Sequence, residues 1–165
     1  MKQKILFALL AVVCLAGCGS DESEYAADDY SLTERNIRQK IIGTWKCSGE
    51  TITFSSKGYS DTGLVHDCSN VNYTVKDTKI FIIVKSITEH YGENISRTHY
   101  SWNGNESPSL SGPDYERGHG LPYSVDAERQ DTVAIYNIKS MGANYLSVDL
   151  SLYRKSTIQH VTLVR

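Results

Sequence analysis

The sequence predicts an all-β protein, an antiparallel up-and-down barrel of about eight strands with a short N-terminal helix. Three observations support this prediction. Short segments alternate apolar and polar residues, turn-forming residues separate these segments, and no helical pattern stands between consecutive strands. The last observation argues against a parallel sheet, because parallel strands need long crossover connections.

The segment before the strands predicts a helix that begins near Ser31. Ser31 and Glu34 match the capping-box pattern, in which a hydroxyl and a carboxylate three residues later each accept from a free backbone amide. The helix is expected to end before Gly43. Its buried face would comprise the apolar residues Leu32, Ile37, Ile41 and Ile42.

The first group of strands follows Gly43, where apolar residues begin to recur at every second position. The residues expected to share a face are Trp45 and Cys47, then Ile52 and Phe54, and then Val71, Tyr73 and Val75. The run from Ile80 to Val84 is apolar at every position, which predicts a central strand buried on both faces.

A second group of strands occupies the C-terminal part of the chain. The residues expected to face the core are Tyr136 and Ile138, then Leu146, Val148, Leu150 and Leu152, and finally Val161 and Leu163. Turn signals such as Gly142-Ala143-Asn144 separate these strands, and a weaker strand is predicted from Ile95 to Trp102.

The N-terminus has the order of a secretory signal, with basic residues, an apolar run from Ile5 to Val13, and then small residues. It ends in Leu15-Ala16-Gly17-Cys18, which resembles the lipobox of bacterial lipoproteins. That resemblance implies a signal peptide of residues 1–17 and a mature chain whose Cys18 carries acyl chains such as palmitate. The apolar run is shorter than the roughly 20 residues of a transmembrane helix. An ordinary secretory signal that happens to end in Cys is the alternative.

Residues 18–30 are small and acidic, which predicts a flexible tether between the lipid and one domain of residues 31–165. The acidic stretch also resembles the surface-export signal of Bacteroidetes lipoproteins, with a solvated linker as the alternative. Gly19 is not the Asp that retains lipoproteins in the inner membrane of enteric bacteria, which favours the outer membrane of the cell envelope. The formal net charge of −2 and the absence of a basic stripe argue against nucleic acid as a partner.

Four cysteines are present. Cys14 lies in the signal peptide and Cys18 is the predicted lipid site, which leaves Cys47 and Cys68 as a pair in an oxidising compartment. We expect them to form a disulfide. Two free thiols, or half of a metal site, are the alternatives.

The order of motifs resembles a known family. Gly43-Thr44-Trp45 opens the first strand, and Tyr136-Asn137-Ile138 and Tyr145-Leu146-Ser147-Val148 follow in the second half. Together they resemble the lipocalin-like lipoproteins common in Bacteroidetes, over most of residues 38–165 except 103–130. The resemblance implies a lipocalin-like barrel with Trp45 at its closed end, and it implies a fold more than an activity.

A barrel of about eight strands can enclose one small ligand or be filled by its own side chains. The inward positions that would contact an apolar ligand are Trp45, Phe54, Tyr73, Tyr136, Ile138 and Leu146. A packed core at these positions, with Trp45 as a structural plug, is the alternative. The predicted function is therefore non-enzymatic binding of a small, mostly apolar ligand in the barrel.

The segment of residues 103–122 suggests an alternative function. It is rich in Gly and Pro, and a loop of this length is uncommon in a compact domain unless it is functional or disordered. The stretch from Ser111 to Gly118 resembles the Ser-Gly-x-x-Tyr loop of lipoproteins that inhibit c-type lysozyme, with Ser111 and Tyr115 at the matching positions. That resemblance implies a protein partner that is bound through this loop.

No motif in the sequence indicates catalysis. The five histidines are His66, His90, His99, His119 and His160. None pairs with another at the spacing of metal ligands, and neither a nucleophile elbow nor a phosphate-binding loop is present. We therefore predict no enzyme activity, no cofactor and no metal.

Overall fold

The computed structural model describes residues 29–92, 95–104, 106–110, 123–153 and 155–165. The predicted signal peptide, Cys18 and nearly all of the tether lie outside the described residues, as do Ser111 and Tyr115. The elements are α1 (Glu34–Lys40), β1 (Gly43–Cys47), β2 (Glu50–Ser55), β3 (Gly58–Asp61), β4 (Cys68–Lys76), β5 (Lys79–Tyr91), β6 (Ile95–Ser101), β7 (Tyr123–Val125), β8 (Arg129–Met141), β9 (Tyr145–Leu152) and β10 (Ile158–Val164).

Eight of the strands form a closed antiparallel barrel, which confirms the predicted fold class. Its order is β4-β3-β2-β1-β10-β9-β8-β5, and pairing of β4 with β5 closes the circle. Consecutive strands are neighbours almost throughout, as in an up-and-down barrel. Because the circle is closed, a barrel strand has no free edge wherever it pairs with the strand on each side of it.

Two strands lie outside this circle. β5 has 13 residues, and only its first part belongs to the barrel. Its second part, Lys85–Tyr91, pairs with β6, and Glu89, His90 and Tyr91 also pair with β7. We call this three-stranded projection the extension. The sequence predicted β6 but neither β7 nor the continuation of β5 beyond Val84.

The helix α1 covers one end of the barrel, which we call the closed end. Ile37 and Ile41 are fully buried there, and the indole nitrogen of Trp45 donates to the Ile41 carbonyl over 2.7 Å. The loop of residues 62–67, the turn after β9 and the extension lie at the opposite end, which we call the open end.

The start of α1 differs from the prediction. Thr33, rather than Ser31, is the N-cap residue, and its hydroxyl accepts from the backbone amide of Asn36 over 3.2 Å. Ser31 contributes its carbonyl instead, which accepts from the Asn36 side chain over 3.0 Å. Of the predicted buried face, Ile42 is 44% exposed because it follows the last helical turn.

Arg165 ties the closed end together. Its guanidinium donates to the carbonyls of Lys40 over 2.6 Å and Ile42 over 2.9 Å, and it lies 4.3 Å from the centre of the Trp45 ring. Gly43 has a φ of +136°, and a Cβ there would come within 3.4 Å of this guanidinium. Glycine therefore provides the backbone conformation, whereas a Cβ at that distance would only be in ordinary van der Waals contact with the arginine.

The contacts of Arg165 cross the junction between β1 and β10, which has the fewest aligned residue pairs of any junction in the barrel. β1 and β10 share one aligned residue pair, Lys46 with Val164, whereas β10 and β9 share seven. Arg165 joins the end of β10 to the chain that enters β1, so it reinforces a junction that has little ladder pairing of its own.

The predicted disulfide is not formed, because the structure has Cys47 and Cys68 as free cysteines. Cys47 ends β1 and Cys68 begins β4, with β2 and β3 between them in the sheet. Three strand spacings amount to about 14 Å along the sheet. Bridged cysteines need Cα atoms within about 7 Å. Burial raises the pKa of the Cys68 thiol to about 12, so this thiol stays protonated at neutral pH.

Candidate functional site

The residues predicted to contact a ligand lie mostly in a packed interior. Four of them, Trp45, Phe54, Tyr136 and Leu146, have no exposed surface, and Ile138 is 3% exposed. The Phe54 ring packs edge-on against Tyr136 with 6.1 Å between centroids. A side chain without accessible surface has no room beside it for even a water molecule. These five residues therefore belong to the buried hydrophobic core.

Tyr73 differs from these five residues. It is partly exposed, and its hydroxyl donates to the carbonyl of Ser55 over 3.2 Å, near the turn between β2 and β3. Its ring packs edge-on against Phe54 at 5.4 Å. Tyr73 thus links the core to the outer surface near the closed end, away from the interior site that the sequence suggested.

An aromatic cleft of about 200 Å³ lies at the open end instead. Side chains from the loop of residues 62–67, from β6, β8 and β9, and from the turn after β9 meet there. Its lining residues are Val65, His66, Tyr100, Trp102, Val133, Leu152, Tyr153 and Lys155. We call it the open-end cleft. Apart from His66 and Lys155, its walls are apolar or aromatic.

Trp102 lines this cleft together with the aromatic rings that pack against it. The His66 ring stacks on the Trp102 ring, with 4.1 Å between centroids and an interplanar angle of 5°. Tyr100 packs beside Trp102 at 5.9 Å and beside Tyr153 at 6.3 Å. Tyr153 is 54% exposed, so the cleft has an accessible aromatic rim.

The sheet itself positions Trp102. β4 and β5 pair only from Asn72 with Ile83 towards the closed end, so they separate towards the open end. The chain that leaves β6 enters this gap, where the Ser69 amide donates to the Trp102 carbonyl over 2.9 Å and Ser69 forms a bridge with Asn103. The backbone at Trp102 is therefore fixed at the edge of the barrel.

A buried carboxylate fixes the loop that contributes Val65 and His66 to the cleft. Asp61 is 3% exposed, and one of its oxygens accepts from the amides of Gly63 and Leu64 at 2.9 Å each. The other oxygen accepts from the Val65 amide over 2.6 Å and from the Tyr59 hydroxyl over 2.8 Å. Charge-assisted hydrogen bonds of this kind fix a loop strongly, so Asp61 holds Val65 and His66 in place.

The carboxylate continues into a chain of two phenols. Tyr59 and Tyr136 share a hydrogen bond of 2.7 Å inside the barrel. Because Tyr59 donates its single proton to Asp61, Tyr136 is the donor in the second bond. Burial raises the pKa of both phenols, so both remain neutral. The network thereby joins the open-end loop to the core.

A second buried carboxylate lies on the extension. Glu89 has no exposed surface and accepts from the hydroxyls of Tyr91 at 2.6 Å and Tyr123 at 3.0 Å. The His99 ring nitrogen is 3.0 Å from Glu89. Burial acts to raise the pKa of Glu89, but these three hydrogen bonds act against it and leave the pKa below the usual value. The carboxylate is therefore ionised and holds β5, β6 and β7 together.

The sequence analysis assigned no structural or functional role to Asp61 or Glu89. Each lies two residues from a tyrosine that it binds, Tyr59 and Tyr91, so the two members of each pair share a face of a strand. An acidic residue two positions from a tyrosine in a predicted strand was the sequence signal that could have indicated these buried pairs. Among the described residues, no group of three or more His, Cys, Asp or Glu side chains is placed to hold a metal ion.

Comparison of the chain with protein-family models, with curated proteins and with solved structures finds no match. Within the described part of the chain, no helix has the length and apolar character to cross a membrane. The predicted partner-binding positions Ser111 and Tyr115 lie outside the described residues, so the loop hypothesis stays a prediction.

Proposed function

We propose that this protein is a lipid-anchored, non-enzymatic binding protein that takes a small, mostly apolar ligand in the open-end cleft. The observation that carries the proposal is the accessible aromatic cleft around Trp102, next to an interior that is already filled by side chains. Ligand sites are typically concave, apolar and aromatic, with few polar groups. The open-end cleft matches this description better than the interior does.

The size and charge of the cleft narrow the class of ligand. Its volume of about 200 Å³ is below the roughly 300 Å³ at which typical ligand pockets begin, which suits a single ring or the end of an acyl chain. Lys155 supplies one cationic group at the rim. An apolar slot beside one cation favours an amphipathic carboxylate, such as a fatty acid, over a fully neutral hydrocarbon.

The proposed anchor rests on Leu15-Ala16-Gly17-Cys18, and the proposed membership of the lipocalin-like lipoproteins rests on the strand motifs. The Tyr30 amide donates to the Met141 carbonyl over 2.7 Å, so the described chain begins at the closed end. The residues between Cys18 and Tyr30 could reach at most about 40 Å when fully extended. A lipid on Cys18 would thus be joined through this tether to the closed end, opposite the open-end cleft.

Tryptophan fluorescence tests the ligand site, with 8-bromooctanoate as the probe. The two tryptophans differ in position, since Trp45 is buried in the core and Trp102 lines the cleft. Bromine quenches a nearby indole, so we expect saturable quenching of the Trp102 emission only. Trp102→Phe should abolish the saturable part, and Val65→Phe should weaken binding at least tenfold by filling the cleft without adding an indole.

The matched control is Ile42→Ser, which removes an exposed apolar side chain at the closed end. It should leave the quenching unchanged. Saturable quenching that survives in Trp102→Phe would place the probe beside Trp45 and contradict the proposed site. Quenching that never saturates, in the parent chain and in all variants, would contradict apolar ligand binding altogether.

Metabolic labelling with radioactive palmitate in a bacterial host tests the anchor. We expect the full chain to become labelled and to sediment with membranes, and Cys18→Ala to lose both properties. Cys14→Ala is the matched control, because Cys14 lies within the predicted signal peptide. An unlabelled parent chain would contradict lipidation.

A further inference from the structure

A polar groove on the outer face of β4 has no part in the proposed apolar site. Two adjoining surface clefts of about 350 and 460 Å³ share Lys57 and Asn72 and form this groove. Its first half contains Arg38, Ser55 and Tyr73. Its second half is lined by Ser69, Asn70, Asn103, Gly104 and Glu106. We call it the amide groove, and it shares no lining residue with the open-end cleft.

The chemistry of the groove is dominated by three carboxamides, Asn70, Asn72 and Asn103. A carboxamide presents two N–H donors and an oxygen with two lone pairs in one plane. Two neighbouring hydroxyls of a sugar ring, each both a donor and an acceptor, match this arrangement. Tyr73 adds an aromatic side chain that combines an apolar face with a polar tip in the first half of the groove.

The second half of the groove is built by hydrogen bonds that orient its polar groups. The Ser69 hydroxyl donates to the Asn103 side-chain oxygen over 3.3 Å, and the Asn103 side-chain nitrogen donates to Glu106 over 3.2 Å. The backbone N–H of Asn70 donates to the Ser60 hydroxyl over 3.0 Å. The ends of β4 and β6 therefore hold the groove in a fixed geometry.

The backbone at the centre of the groove is constrained as well. Asn70 has a φ of +53°, a left-handed conformation that asparagine tolerates better than most residues. Gly104 has a φ of +49°, and a Cβ there would come within 3.1 Å of the Asn70 carbonyl oxygen. A glycine at position 104 lets the two backbones approach closely, which fixes this part of the groove.

Groups remain available for a ligand. The side-chain amides of Asn70 and Asn72 are exposed and form no hydrogen bond with the described residues. Lys57 is exposed, and its ammonium makes no ion pair within the described ranges. Lys57 and Asn72 line both halves of the groove, and Asn70 lines its second half.

The charges of the groove favour a neutral ligand. The Arg38 guanidinium is already paired with Glu34 at 2.9 Å and donates to the Val75 carbonyl. The positive charge of Lys57 is opposed by the carboxylate of Glu106 in the same half of the groove. A phosphate would therefore gain little electrostatic attraction in the groove, whereas hydroxyl groups can form hydrogen bonds with each side-chain amide.

We propose that the amide groove binds a neutral oligosaccharide through its hydroxyl groups. The two adjoining clefts, of about 350 and 460 Å³, would hold at least two consecutive sugar units. The Asn70 and Asn72 amides bind neighbouring hydroxyls, and Tyr73 contacts the apolar face of a ring. This site is independent of the apolar ligand proposed for the open-end cleft.

The test measures binding of the full chain to immobilised hexasaccharides of glucose, galactose, mannose and N-acetylglucosamine. A zwitterionic detergent without a sugar headgroup keeps the chain in solution. We expect at least one neutral hexasaccharide to bind saturably, with an affinity that changes less than twofold between 0.05 and 0.5 M salt, because no net charge is involved. Failure of all four hexasaccharides to bind would overturn the proposal.

Two substitutions test whether the sugar binds in the amide groove. Asn70→Gly keeps the left-handed backbone and removes the amide, and Asn72→Ser shortens an exposed side chain, so both should fold normally. Together they should weaken binding at least tenfold. The matched control is Gln159→Ala, which removes an exposed amide from β10 and should change binding less than twofold.

Further outcomes separate this proposal from the alternatives. Trp102→Phe should leave sugar binding unchanged, which distinguishes a failure here from a failure of the apolar site. Binding only to a sulfated glucose hexamer, lost at 0.5 M salt, would identify an anion site and overturn the neutral class. Undiminished binding in the Asn70→Gly, Asn72→Ser double variant would place the sugar elsewhere and also overturn the proposal.

Discussion

The two ends of the barrel use the same type of residue for opposite purposes. At the closed end Trp45 has no exposed surface, its indole nitrogen is bonded to the Ile41 carbonyl, and Arg165 covers its ring. At the open end Trp102 is partly exposed and stacks on His66 beside a cleft. One tryptophan completes a core and the other presents a surface.

The difference teaches that the two ends of this barrel are stabilised by different interactions. The closed end is held by apolar packing of Ile37 and Ile41 from α1. The open end is held by a buried carboxylate, Asp61, which accepts from three backbone amides and a phenol. Apolar packing leaves no space, whereas a hydrogen-bonded loop can be rigid and still leave a cleft beside it.

The largest expected effect separates the two tryptophans. Trp45→Ala should lower the free energy of unfolding by about 3–5 kcal/mol, because it opens a cavity in the core. It also leaves the buried Ile41 carbonyl without its hydrogen-bond donor. Trp102→Ala should cost about 1 kcal/mol or less, since its ring is only partly buried. Urea denaturation of both variants measures the two values, and equal losses would remove the distinction between the ends.

The next effect concerns the loop at the open end. Asp61→Ala should cost about 3 kcal/mol, because it leaves the amides of Gly63, Leu64 and Val65 without their buried acceptor. Quenching by 8-bromooctanoate should also weaken, because Val65 and His66 lose their support. Asp61→Asn keeps the oxygen that can accept from Gly63 and Leu64. Its stability should therefore lie between that of the parent chain and that of Asp61→Ala. Full ligand binding in a folded Asp61→Ala chain would show that the loop is positioned by other contacts.

A smaller effect is expected at the closed end. Arg165→Met keeps a long side chain over Trp45 but removes the hydrogen bonds to Lys40 and Ile42, and should cost about 1–2 kcal/mol. The open-end cleft should bind its probe as before. Chemical denaturation together with quenching checks both statements, and loss of probe binding would mean that the two ends are coupled.

The smallest effect is a pH dependence of the extension. The pKa of Glu89 is lower in the folded protein than its ordinary value, so its contribution to stability is complete above the ordinary value near 4.5. That contribution is lost as the pH falls through the folded pKa. Glu89→Gln should therefore be less stable than the parent near neutral pH and should lose less stability on acidification. Parallel urea titrations from pH 7 to pH 3 check this, and equal slopes would contradict it.

Much of the barrel could be predicted because strand alternation reports burial directly. Trp45, Ile52 and Phe54 are fully buried, and so is Leu163 of β10, as the alternation predicted. The second part of β5 was missed because its buried positions, such as Ser86 and Glu89, are polar. A pattern based on apolar residues ends where the core of the barrel ends, even though the strand continues.

The site was harder to predict because it depends on where distant segments meet. Trp102 follows a weak strand, Val65 lies in a loop, and Leu152 ends β9, so no local pattern joins them. The disulfide prediction was wrong for a related reason. It rested on the number of cysteines, whereas pairing depends on the sheet order, which places β2 and β3 between Cys47 and Cys68.

The junction between β1 and β10 has a consequence for the order in which the barrel opens and closes. Arg165 bonds to Lys40 across 125 positions of sequence, and the two strands share one aligned pair. Contacts between such distant residues slow folding, since a long loop must close before they form. We therefore expect this junction to form last on refolding. In native-state hydrogen exchange, the amides along it should exchange before those between β8 and β9.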